Sequence, residues 1–472
     1  MQTERALIQL RDLPGPRGWP LLGNFFQFRL DRLHLALENW AERYGSIFLI
    51  RFGPQRIAVI TDQPSIQRVL TQRPGEFRRT AMLESVAVEM RLKGVFAAEG
   101  EDWRRQRRIV VAAINGAKLK DFFPRLAVTV ERLRRHWERA ADRGEPVDVC
   151  SDLMRFTVDV TMQIVFGVDA NTLETQGPVI QRHLNKVFPV VHRRVNAPFA
   201  WWRLLPLPSD RELDRALCAL EREVDDMVRA TRQRMASDPE RRRAPTNFLE
   251  AIISAVESED SEFTDAEIFA NAGTLMLAGE DTTAHTMAWI VHHFTKHPEH
   301  FQRIRREVDA LLAPEPAIGS LEQTMKLSFL DAFANEVMRV KPVAPVFVVE
   351  PLNDIEMLGC RIPKATPLIL LNRRAAMQDE NFSDGANFNP ERWLAPAESD
   401  ARRHNRRAFV PFGGGPRLCP GRNLALLQIR TVLAMLCRNF ELKPVNDGGD
   451  VEEHLAFTMM PSNLSVHLMR RQ

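Results

Sequence analysis

The chain has 472 residues, 44% of them hydrophobic, with 64 basic and 61 acidic side chains and a net charge of +3. That near balance argues against a nucleic-acid binder, and this length and apolar content can bury a large core and a cofactor. Cys150, Cys218, Cys360, Cys419 and Cys437 are odd in number and lack metal-ligand spacing, which speaks against a disulfide framework or a zinc site and fits a reducing compartment.

Met1 to Arg5 open no apolar run long enough to span a bilayer, so no transmembrane anchor is expected. Leu13 to Asn24 is rich in proline and glycine. Helical periodicity follows from Leu30 to Arg43. Residues 46–52 and 56–60 flank Gly53-Pro54 and read as a β-hairpin. From Pro64 onward helical patterns dominate, with short strands near residues 367–371 and near the C-terminus. The expected class is mainly α with a minor β region. No repeat or Ser/Gly-rich linker divides the chain, and residues 236–245 read as a surface loop.

Residues 101–108 open a helix on which Trp103 and Arg107, four apart, share a face. An indole N–H and a guanidinium are suitable donors for a carboxylate.

The longest predicted helix runs from Thr264 to His297. Thr264-Asp265-Ala266-Glu267 is a capping box, and Pro298 stops the helix. Such a helix spans roughly 50 Å, enough to cross a domain. Inside it lies Ala278-Gly279-Glu280-Asp281-Thr282-Thr283. A mid-helix glycine costs about 1 kcal/mol against alanine. Adjacent acids after Leu275, Met276 and Leu277 are also costly unless something uses them. Gly279 would let a flat ligand or O₂ approach the backbone. Thr282 can satisfy a loosened carbonyl or donate to a bound oxygen species.

Glu336 and Arg339, three apart, lie on one face of a further helix. Phe388-Asn389-Pro390-Glu391-Arg392-Trp393 follows about fifty residues later.

The most informative stretch is Phe412-Gly413-Gly414-Gly415-Pro416-Arg417-Leu418-Cys419-Pro420-Gly421, directly before a predicted helix at Arg422. A thiol at a helix N-terminus meets free N–H donors and the positive end of the dipole, and both favour thiolate. Glycines let the backbone come close to whatever the sulfur binds.

This loop resembles the haem-thiolate signature of the cytochrome P-450 superfamily at Phe412, Gly415, Arg417, Cys419 and Gly421. Residues 278–283 resemble its oxygen-activation segment, Glu336 to Arg339 its Glu-x-x-Arg helix, and Trp103 with Arg107 its propionate-binding pair. Residues 13–24 resemble the proline-rich hinge that follows membrane anchors in microsomal members. The resemblance implies one haem domain over residues 1–472, with residues 1–24 as lead-in, in a soluble, bacterial-type, cytoplasmic enzyme. It also implies haem b held by Cys419 as the iron ligand, with Trp103, Arg107, Arg417, Phe412, Gly415, Gly421 and Gly279 around it. Asp281 and Thr282 would be the catalytic acid–alcohol pair. Glu336, Arg339 and Arg392 would form a buried structural ion triad. The implied reaction inserts one oxygen atom from O₂ into a C–H or double bond. The alternatives are a peroxide-dependent or rearranging haem-thiolate enzyme, which commonly lacks the acid–alcohol pair, and a haem-binding protein without turnover.

Two departures stand out. Val348-Val349-Glu350 occupies the place where many members carry a propionate arginine, and Ala376-Met377-Gln378-Asp379 the place of a His-Arg-Asp-Pro stretch. By position, substrate contacts would come from residues 82–96, 188–202, 269–277, 343–348 and 457–460, which are mostly apolar. They predict a medium to large lipophilic substrate, and Arg193, Arg194 and Arg203 could hold a carboxylate. Arg104, Arg105, Arg108, Arg402, Arg403, Arg406, Arg407 and Arg422 would attract a separate electron donor, an acidic ferredoxin or flavodoxin with its reductase.

Overall fold

The computed structural model describes residues 7–114, 116–175, 187, 190, 193–195, 200–204, 207–258, 263–394, 404–445 and 451–471. Arg402 and Arg403, and much of the span 188–202, lie outside the described residues.

The N-terminal part is the β-rich region and opens with the short strand β1 (Ile8–Gln9), which pairs with Cys360 and Arg361. A single 3-10 turn at Leu30–Arg32 precedes α1 (Leu33–Tyr44), so the α-helix starts later than the periodicity suggests. The hairpin forms from β2 (Ile47–Phe52) and β3 (Gln55–Ile60), with Ile47 opposite Ile60. Gly53 takes φ +58° in its two-residue turn, a conformation that side chains resist. α2 (Gln63–Thr71) begins where Asp62 accepts from the Ser65 N–H at 2.8 Å. It is followed by β4 (Phe77–Arg78) and α3 (Ala81–Glu89).

The helical part begins with α4 (Gly100–Ala113), α5 (Gly116–Arg143), β5 (Pro146–Asp148) and α6 (Val149–Phe166). It continues with α7 (Pro208–Ser237), α8 (Phe248–Ser258), α9 (Asp265–Lys296), α10 (Pro298–Leu312) and α11 (Ser328–Val340). The C-terminal third holds β6 (Phe347–Pro351), β7 (Ile355–Met357), β8 (Cys360–Ile362), β9 (Leu368–Leu370), α12 (Asn372–Met377) and α13 (Arg422–Asn439). β10 (Phe440–Pro444), β11 (Glu452–Leu455), β12 (Met459–Ser462) and β13 (Ser465–Arg470) close it. The largest sheet has the order β2-β3-β9-β6-β4, so the hairpin pairs with strands from the far end of the chain.

The capping box on α9 forms as the sequence predicts. Thr264 N–H donates to Glu267 at 2.9 Å, and Glu267 N–H donates back to Thr264 Oγ1 at 3.3 Å. α9 then runs through the whole core. Its first half (Ile268, Phe269, Ala272, Met276) packs in one apolar cluster with α3, α4, α6, α7 and α8. Its second half (Ala284 to Phe294) packs in another with α5, α10, α11 and α13. The two clusters part at residues 278–283. Ala278 is exposed there, in mid-helix, with Asp281 and Thr282 half-buried beside it. An open strip in an otherwise buried helix marks a cleft through the core.

Candidate active site

The cysteine loop is shaped by its own backbone. Cys419 N–H donates to the Phe412 carbonyl at 2.9 Å and Leu418 N–H to Gly415 O at 3.1 Å. Gly415 takes φ +61°, and a Cβ there would lie 2.3 Å from Leu70 O on α2. It therefore seats the loop on α2, where any larger residue would collide. Gly421 caps α13 with φ −82°, a value open to other residues. Its contribution is an N–H aimed at the Cys419 sulfur, joined by that of Arg422.

Cys419 is exposed to the open space, while protein crowds the sulfur on its other sides. Burial pushes its thiol above the ordinary value, against the Gly421 N–H, the Arg107 charge and the Arg422 N–H. The helix mouth supplies the expected donors, but desolvation outweighs them. A cation replacing the proton would reverse that balance, because the thiolate already has two N–H donors waiting.

Trp103 is buried on α4, and the Arg417 guanidinium lies 4.5 Å from its ring centroid. Arg417 Nη2 donates to Ala98 O at 2.9 Å and to Glu99, while its Nε and Nη1 are buried without a partner. Burial pushes its pKa down to about 10, against the pull of Glu99. Arg107 donates to the Leu418 carbonyl and so braces the cysteine loop. Orphaned guanidinium donors beside an open thiol are what an iron porphyrin with carboxylate arms requires, so the residues present fit haem.

On α9, Thr282 Oγ1 donates to Ala278 O at 2.8 Å, and Thr286 Oγ1 to Thr282 O at 2.8 Å. Burial raises the Asp281 carboxyl to about 6. Gly279 has a packing role as well. A Cβ on it would meet Thr161 Oγ1 on α6 at 2.9 Å. Its missing side chain admits the close approach of α6 to α9.

The ion triad is present and buried. Arg339 grips Glu336 at 2.7 and 2.9 Å, and Arg392 Nε donates to Glu336 Oε1 at 3.0 Å. Trp393, absent from the predicted triad, adds an indole N–H at 2.9 Å.

The arginines beside the apolar segment are already committed. Glu89 on α3 accepts from Arg194 at 3.1 Å, Trp202 at 2.9 Å and Arg203 at 2.7 Å. Asp210 accepts from Arg194 at 2.9 Å and Arg193 at 3.4 Å. The expected free carboxylate clamp is thus an internal network, and sequence gave no sign of its acidic half. Arg104 pairs with Glu101, and Arg105 donates to Glu267 at 3.1 Å, so these two belong to helix-end ion pairs. Arg108, Arg406, Arg407 and Arg422 are exposed.

Of the five apolar segments, described residues from 82–96, 188–202 and 269–277 gather in one cluster. Val343 and Met459 pack in the other large cluster. Phe457 reaches across to Phe96, with ring centroids 6.1 Å apart.

A sequence profile described as Cytochrome P450 matches residues 13–468. The chain belongs to the cytochrome P450 family. Cytochrome P450 3A6 of Oryctolagus cuniculus is 26% identical over 453 residues, covering 93% of this chain and 88% of the relative. Cyclooctat-9-en-7-ol 5-monooxygenase of Streptomyces melanosporofaciens is 26% identical over 437 residues, covering 91% and 89%. A solved structure, the heme domain of cytochrome P450DA, shares the fold with a TM-score of 0.86 at 21% identity, covering 99% of each chain. The protein is therefore a monooxygenase-type oxidoreductase whose cofactor is haem b. No described helix is long and apolar enough to cross a membrane.

Proposed function

We propose that this chain hydroxylates or epoxidises a neutral lipophilic substrate of medium to large size, with Cys419 as the iron ligand. The observation that carries the assignment is the open Cys419 thiol at the head of α13, met by the N–H groups of Gly421 and Arg422. When bound, haem supplies oxygen activation, and the electron-rich thiolate favours O–O cleavage. Phe412 closes the loop around Cys419 through its carbonyl. Trp103, Arg107 and Arg417 stand on the carboxylate side of the site. Asp281 and Thr282 hold and pass protons into the open strip of α9. The pair Asp281–Thr282 favours O₂-driven turnover over the peroxide-dependent alternative.

The apolar cluster around residues 82–96 and 269–277 supports a lipophilic ligand, whose burial contributes roughly 25 cal/mol per Å². Glu89 and Asp210 neutralise the nearby arginines, so a neutral molecule fits better than a fatty acid. One relative is named for oxygenating cyclooctat-9-en-7-ol. Electrons would come from a separate acidic donor, steered by Arg406, Arg407 and Arg422 in a cytoplasmic setting. A ligand panel read by the low-spin to high-spin Soret shift tests the substrate class. Neutral terpene- or steroid-sized compounds should shift the band. Tight shifts confined to fatty acids or small polar compounds would contradict the proposal. Donor-dependent product formation distinguishes turnover from mere haem binding.

A further inference from the structure

The chain passes from α9 to α10 through a single residue. His297 takes φ −128° and ψ 66°, ending α9 and opening α10. Pro298 follows at the first helical position, where its fixed φ suits a helix start. The backbone is pinned on both sides of this corner. His297 N–H donates to His293 O at 2.9 Å, and the N–H groups of His300 and Phe301 donate to His297 O at 3.1 Å. Glu299 and His300 therefore stand in the first turn of α10, close to His297.

Three donor groups gather there. His297 Nδ1 and His300 Nε2 each lie 3.7 Å from the same oxygen, Glu299 Oε1. All three atoms fall within 4.8 Å of one another. At 3.7 Å neither contact is a hydrogen bond, since N–H···O pairs sit about 2.7–3.2 Å apart. The spacing is nearer to that of two ligands on one tetrahedral ion, which at zinc bond lengths stand about 3.3–3.5 Å apart.

The imidazoles are oriented by packing. The His297 ring stacks on Phe388, with centroids 4.4 Å apart and planes 16° apart, and lies parallel to His293. The His300 ring rests against Phe329 and Phe333. His297 and His300 are partly exposed and Glu299 is exposed, so an ion and a water can enter. None of the three residues belongs to the cysteine loop, the open strip of α9 or the ion triad.

We propose that His297, Glu299 and His300 bind one zinc ion, with water as the fourth ligand. Two imidazoles and one carboxylate favour zinc over magnesium or calcium, which take oxygen ligands. The ion clamps α9 to α10 and fixes His297 against Phe388. The next residue, Asn389, donates its N–H to Glu336 at 2.8 Å, so the clamp backs the ion triad.

Equilibrium dialysis of the haem-loaded protein against zinc chloride, with zinc and iron counted by atomic emission, tests this. Wild type should hold one zinc per iron at about 10 µM free zinc, and about a hundredfold excess of magnesium should not displace it. His300→Gln and Glu299→Gln should each weaken binding about tenfold or more. Zinc should raise the unfolding midpoint of wild type and leave that of either variant in place. Glu299 is exposed, so Glu299→Gln keeps the test in hand should His300→Gln fail to fold. Cys218 is an exposed thiol elsewhere on the surface, and Cys218→Ser should leave zinc binding unchanged. Wild type that holds no zinc at about 100 µM would overturn the proposal. So would binding unchanged in either variant, or binding that Cys218→Ser abolishes.

Discussion

Thr282 donates its hydroxyl to the Ala278 carbonyl at 2.8 Å, on the one strip of α9 where the two apolar clusters part. The hydroxyl is thus parked on the backbone within one turn of open space, free to rotate toward a bound oxygen species. Thr282→Ala should keep the Soret spectrum and the rate of reductant consumption. Product per reductant should fall several-fold, with hydrogen peroxide making up the difference. An unchanged ratio would remove Thr282 from proton delivery.

Asp281 should impose a pH dependence on the same step. Burial lifts its carboxyl from 3.8 to about 6, so the acid form persists to about pH 6 and is lost above it. Coupling should decline as pH rises through that value, and Asp281→Asn should remove the inflection. Linkage gives the stability sign. The folded state holds the proton more tightly, so stability falls as pH climbs from about 4 to about 6. At pH 7 the Asn variant should be the more stable, by at most about 3 kcal/mol. A flat pH profile for wild type would contradict the carboxyl's place in the cleft.

Glu336→Gln should be severe, because Arg339 and Arg392 would remain buried with their main counter-charge removed. Carbonyls of Ala376, Gly385, Asn387 and Ser383 also receive these guanidiniums, but none carries a charge. A loss of about 3–5 kcal/mol is expected in denaturant unfolding of the holoprotein. A loss below about 1 kcal/mol, the range of a surface pair, would mean the triad is solvated.

The motifs legible in the sequence were those fixed by local geometry. The capping box at Thr264 and Glu267, the hairpin around Gly53, the Glu336–Arg339 pair and the loop before Arg422 all need only neighbouring residues. What the sequence concealed depends on partners far along the chain. The packing of Gly279 against Thr161 was hidden because Thr161 sits on another helix. Arg194 and Arg203 looked free because Glu89 reaches them only after α3 folds over them. Arg73 and Arg79 read as ordinary charges in an Arg-Pro-Gly-Glu-Phe-Arg-Arg run, and nothing local shows that Arg73 ends up buried. For Cys419 the dipole and N–H donors were visible, but not the desolvation that outweighs them.

The donor surface is narrower than the arginine count suggests. Arg104 and Arg105 pair with Glu101 and Glu267, leaving Arg108 on α4 and Arg406, Arg407 and Arg422 beside the cysteine loop as the other exposed described candidates. Reduction by a competent acidic donor should slow as ionic strength rises, since screening shortens to about 8 Å at physiological salt. Reversing Arg406 and Arg407 together should remove most of that salt dependence, while reversing Arg105 alone should change it little. A rate indifferent to both salt and Arg406/Arg407 reversal would place the donor elsewhere.

Cys419 as the iron ligand is tested by the ferrous–CO spectrum of paired cysteine variants. Cys419 is open to the cleft, whereas Cys437 is fully buried in α13 with its thiol pushed far up by desolvation. Cys419→Ser should abolish the red-shifted Soret band of the ferrous–CO complex, and Cys437→Ser should leave it intact. A Cys419→Ser protein that keeps the red-shifted band would show that Cys419 is not the iron ligand.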